Sequence, residues 1–146
     1  GDIHALVNAI GEMRRVARKA GLVAIKIDDI AQVNARFGFD AGDRVLAESA
    51  ACLMDCSRGK GRLFRSTGPM FVALFDEFDP EETDAIADEI ERFLGSPVLI
   101  GSLEYQPPIR VATLHLDAVD RQPVSILNEL KALLEEAPQV PGTKLD

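Results

Sequence analysis

LVAIKIDDIAQVNARFGFDAGDRVL, residues 22–46, changes its hydrophobic period once and breaks once, and those two events set the architecture. From Leu22 to Asp28 the chain alternates, with Val23, Ile25 and Ile27 facing one way and Ala24, Lys26 and Asp28 the other. That is a β-strand. Its first face calls for helices over it, and its second is more open. Ile30 to Phe37 then reads as a short helix, broken at Gly38-Phe39-Asp40. Asp40 is placed to cap a second helix running to about Ser57, with Val45, Leu46, Ala50, Leu53 and Met54 inward.

Upstream, Ile3, Leu6, Val7, Ile10, Met13, Val16 and Ala17 form a helical stripe. Arg14, Arg15, Arg18 and Lys19 lie in its last turns, where cations suit the helix dipole, and Gly21 is a natural stop. Downstream, Arg62–Phe64 and Met70–Phe75 pair as a hairpin around RSTGPMF, residues 65–71. Its tip carries no acid, base or nucleophile beyond one hydroxyl. Asp79-Pro80-Glu81-Glu82 is a strong helix start. Ile86, Ile90, Phe93 and Leu94 mark that helix's buried face, and Gly95-Ser96-Pro97 ends it. VLI (98–100) and IRVATLHL (109–116) read as strands, with Tyr105 and Pro107-Pro108 in the loop between them. Pro123 opens a last helix with Ile126, Leu127, Leu130, Leu133 and Leu134 inward.

Strands interleaved with helices, plus one adjacent hairpin, give an α+β fold. A ferredoxin-like core fits, with a central, mostly antiparallel sheet and helices packed around it. Residues 1–20 read as an N-terminal linker or signalling helix, 21–137 as the domain, and 138–146 as a flexible tail.

Length and charge bound the function. The chain has 146 residues, 47% hydrophobic and 27% charged, which is one globular domain. Its net charge of −8 argues against nucleic acid or an anionic membrane as partner. Cys52 and Cys56 lie on one helix, a spacing unsuited to a structural disulfide, so a reducing cytoplasm is expected. His4 and His115 have no ligand cluster near them in sequence, so no zinc site is expected.

Asn34, Phe37, Gly38, Gly42 and Asp43 resemble the block after the first strand of GGDEF domains, the diguanylate cyclases, where the pattern runs D-x-D-x-F-K-x-x-N-D-x-x-G-H-x-x-G-D. The resemblance covers roughly residues 22–135. It implies the GGDEF fold, a bacterial cyclic di-GMP signalling protein, and a hairpin tip Thr67-Gly68-Pro69-Met70-Phe71 at the signature positions. It also implies a guanine-reading pair, Asn34 and Asp43, and sets Arg58 at the first position of the family's R-x-x-D product-inhibition site, where Gly61 replaces the Asp.

The departures matter as much. Joining two GTP molecules needs divalent metal to neutralise the triphosphate and activate the attacking hydroxyl. The family's metal ligands are an Asp on the first strand and an acid at the signature's third position; here they are Lys26 and Pro69. Met70 stands for the fourth-position Glu, Thr67 for the first Gly, and Ala31 for a Lys. Losing one transition-state contact costs about 3–4 kcal/mol, and losing the ligands removes the site. The expectation is therefore no catalytic residues, no metal and no cofactor. The expected role is an inactive regulatory or dimerising module, with weak GTP or cyclic di-GMP binding. Its partners would be a second copy or a neighbouring sensor or EAL domain. Two alternatives stand beside it: a ferredoxin-like interaction domain that binds no nucleotide, and a residual nucleotide-processing enzyme built around Lys26 and Asp28.

Overall fold

The computed structural model describes residues 2–15, 19–57, 60–66, 68–94, 97–117 and 121–144. Their elements run α1 (Ile3–Arg15), β1 (Ala20–Ile27), α2 (Ile30–Phe37), α3 (Phe39–Ser57), β2 (Gly61–Arg65) and β3 (Met70–Asp76). Then follow α4 (Pro80–Leu94), β4 (Val98–Ile100), β5 (Leu103–Tyr105), β6 (Ile109–Leu116) and α5 (Pro123–Glu136). Four strands make one sheet in the order β2-β3-β1-β6, every neighbouring pair antiparallel. β1 is thus an interior strand, and Lys26 near its end stands between Met70 and Arg110.

Both faces of the sheet are covered. On one, Val23, Ile25 and Ile27 pack with Val33 of α2, Val45 and Leu53 of α3, and Ile90 and Leu94 of α4. On the other, Ala20, Leu22 and Ala24 pack with Leu6, Ile10 and Met13 of α1 and with Ile126, Leu127 and Leu130 of α5. The second face of β1, expected to be open, is therefore closed. Its first half is apolar, and only Lys26 and Asp28 at its end are polar. α1, read as a linker helix, is part of the packed domain. Burying Leu6 and Ile10, each 1% exposed, is worth about 1.5–3 kcal/mol per side chain.

Three local expectations are corrected. Met54 points outward at 62% exposure, because Leu53, one position earlier, takes the inward site on α3. Asp40 lies inside the first turn of α3, and the break before it is Gly38 at φ 99°. Tyr105 is a strand residue: β5 pairs with β4 across a turn at Gly101, φ 63°, and drops the ring wholly into the core.

The start of α4 follows its sequence. Glu82 N–H donates to Asp79 Oδ1 at 2.8 Å, and Asp79 N–H donates back to Glu82 Oε1 at 3.3 Å. The stretch from Pro138, expected as a flexible tail, instead lies along β6, with Val140 bridged to Ile109.

Candidate functional site

The end of β1 gathers the chemistry. Beyond Lys26, Ile27 N–H donates to Pro69 O at 3.0 Å and Asp28 N–H to Pro108 O at 2.8 Å. These two bonds bring the hairpin tip and the entry to β6 against the end of β1. α2 starts two residues later, after Asp29 at φ 66°.

Asp28 is the centre of the cluster, with only 11% of its side chain exposed. Its Oδ2 accepts from Arg110 Nε at 3.0 Å and from Gln139 Nε2 at 2.7 Å, and Lys26 Nζ lies 3.8 Å from Oδ1. A carboxylate so buried needs such donors to replace the water it gives up. Arg110 also donates through Nη1 to the carbonyls of Ala137 at 2.8 Å and Glu135 at 3.3 Å. Sequence reasoning missed Arg110 and Gln139. The lone charge in IRVATLHL was a signal for the first; nothing local announced the second.

Asn34 and Asp43 are brought together at the junction of α2 and α3. Asn34 Oδ1 accepts the N–H of Gly42 at 2.8 Å, one residue before Asp43. The contact requires glycine: a Cβ on Gly42 would stand 2.4 Å from that oxygen. With Oδ1 turned to Gly42, the amide's two N–H donors lie on its other branch. Asp43, the residue after Gly42, carries carboxylate acceptors. Asp43 also borders an open recess of about 710 Å³, lined by Phe37, Asp40, Ala41, Arg44, Ile100 and Gly101.

At the hairpin, Gly68 takes φ 82°, a conformation suited to glycine. Met70 and Phe71 are buried, and the Arg65 guanidinium lies 5.8 Å from the Phe71 ring centre. Arg62 pairs with Asp76 at 3.5 Å. Thr67 and Arg58 lie outside the described residues.

A family model described as "Diguanylate cyclase, GGDEF domain" matches residues 4–136. The chain belongs to the GGDEF family. No curated protein matches it. Solved GGDEF structures share the fold. The diguanylate cyclase SiaD of Pseudomonas aeruginosa, in complex with its activator SiaC, superposes with a TM-score of 0.85 at 19% identity. That match covers 92% of this chain and 54% of SiaD, so the chain spans about half of that protein's length. The FimX GGDEF domain of the same organism gives 0.82 at 17% identity, covering 92% and 84% of the two chains. The active GGEEF domain of a diguanylate cyclase from Vibrio cholerae gives 0.71 at 22%, covering 91% and 85%.

The GGDEF match begins in α1, in keeping with that helix's place in the core. The cyclase reaction relies on divalent metal, and the residues at the end of β1 do not fit such an ion. Lys26 brings an ammonium, Pro69 brings a ring, and the oxygens of Asp28 face Lys26, Arg110 and Gln139. Among the described residues, no three His, Cys, Asp or Glu side chains are grouped to hold a metal. Nor, among them, is any helix long and apolar enough to cross a membrane.

Proposed function

We propose that this GGDEF domain is catalytically silent and acts as a regulatory or dimerising module in a bacterial cytoplasmic cyclic di-GMP pathway. One observation carries the reading. Lys26 stands in register between Met70 and Arg110, where a metal-binding acid belongs, and its nearest carboxylate, Asp28, is already held by cationic and amide donors. A second cation entering there meets an ammonium and a guanidinium, and repulsion at such range is costly. The test is incubation with GTP and Mg²⁺ or Mn²⁺. No cyclic di-GMP, pGpG or pyrophosphate is expected, and steady accumulation of any of them refutes the proposal.

Guanine-nucleotide binding through Asn34 and Asp43 is the retained function in this reading. The donors of Asn34 suit the acceptor edge of guanine, and the Asp43 carboxylate suits its N–H edge. Regulation then runs through protein contacts. SiaD forms a complex with its activator SiaC, and another protein of this fold, from M. capsulatus, is an EAL/GGDEF domain protein. A partner protein or an EAL domain is the corresponding proposal here.

The bond from Gly42 to Asn34 favours a second reading, in which Asn34 only joins two helices and the domain is an interaction scaffold. Calorimetric titration with GTP, GDP and cyclic di-GMP separates the two. Binding that disappears in the Asn34→Ala, Asp43→Ala double variant supports the retained pocket; absence of binding to the parent chain supports the scaffold.

A further inference from the structure

After α5 the chain turns at Ala137 and runs along the outer edge of β6. The backbone pairing is sparse. Val140 N–H donates to Ile109 O at 2.8 Å and Ile109 N–H returns to Val140 O at 3.1 Å. Further on, Thr143 N–H donates to Gln106 O at 2.7 Å, and Gln106 N–H donates to Thr143 Oγ1 at 2.9 Å. Pro138 and Pro141 flank Val140, and Pro107 and Pro108 lie on the facing segment. Proline has no N–H to give, so the segment cannot lengthen into a regular ladder.

Side chains make up the hold. Gln139 Nε2 donates to Asp28 Oδ2, and Arg110 bridges that same oxygen to the carbonyls of Glu135 and Ala137. The entry of the segment and its first residues are thus tied to one carboxylate at the end of β1, while Thr143 near its exit is held by Gln106. Gly142 completes the approach, since a Cβ there would stand 2.1 Å from Gln106 O.

We propose that residues 138–144 are a releasable strap over the β6 edge, clasped through Asp28. The strap's hold does not depend on nucleotide chemistry. Few backbone bonds and one shared carboxylate make it a unit that opens without the rest of the sheet. Opening uncovers the N–H and C=O of Ile109 and Gln106 to solvent.

Residue-resolved amide exchange on the full chain tests this. In Asp28→Ala, the amides of Val140, Thr143 and Ile109 are expected to exchange about ten- to a hundredfold faster, as the loss of a charge-assisted bond implies. Amides in the β1–β3 ladder are expected to keep their rates. Gln139→Ala alters only an exposed strap residue, so it folds even where Asp28→Ala does not, and about a tenfold acceleration confined to the strap is expected. Unchanged strap exchange in Gln139→Ala overturns the proposal, as does acceleration spread equally over β1–β3.

Discussion

Asn34 carries two roles that a pair of substitutions separates. Its Oδ1 accepts from Gly42 N–H, a donor in the first turn of α3 where helical partners are lacking. Asn34→Ala leaves that part-buried donor unmet, and losses of this capping kind cost about 1–2 kcal/mol. For a domain of this size the midpoint of thermal unfolding should fall by about 3–6 °C. Asn34→Asp keeps an acceptor at the same reach, and a negative charge near a helix N-terminus is favourable. Its midpoint should stay within about 2 °C of the parent when Asp43 is screened at about 0.15 M salt. Guanine reading responds differently, because Asp has no N–H to offer. Both variants should lose about tenfold or more in GTP affinity, the worth of one buried polar contact. Circular dichroism melts and calorimetric titration give the two readouts. The capping argument fails if Asn34→Ala melts with the parent, or if Asn34→Asp falls as far as Asn34→Ala.

Gly21→Ala should destabilise by about 1–3 kcal/mol by overpacking: its Cβ would stand 2.0 Å from Thr83 Oγ1, a 1%-exposed residue tied to Asp79 O. Adding Thr83→Ala should recover part of that loss in a denaturant melt. Asp79→Ala should cost about 1 kcal/mol by removing the reciprocal cap of α4. Burial, and secondarily the negative charge of Asp29, raise the Tyr105 phenol above 10.0. Because the chain has one tyrosine and no tryptophan, an absorbance titration reads it directly. Folding stability should be insensitive to this group below pH 10.0 and fall as pH rises beyond, since the unfolded chain releases the proton first. Tyr105→Phe should be neutral or stabilising by about 1 kcal/mol, because the buried hydroxyl has no hydrogen-bond partner among the described residues.

Elements whose signals were local were legible in the sequence. The alternation of Val23, Ile25 and Ile27, the Asp79–Glu82 cap and the stripe of α5 each state their structure within a few residues. VLI was legible as β4, but its partner β5 was hidden because it is three residues long, too short to show a period. The second covered face was misread from Lys26 and Asp28, the polar end of a stretch whose beginning, Ala20 to Ala24, is apolar. The site divided in the same way. Asn34 and Asp43 lie within one short segment and could be paired by motif. Gln139 reaches Asp28 across 111 positions, and no pattern along the chain encodes that contact.

The tip of the β2–β3 hairpin is fastened to β1 through a backbone group, the carbonyl of Pro69, which accepts from Ile27 N–H. The anchor is therefore indifferent to which residues occupy the loop, so the letters of the signature can change while the loop stays where it is. Chemistry and placement are inherited separately at this corner. A chain can surrender the one and still deliver whatever it now carries to the same point in space.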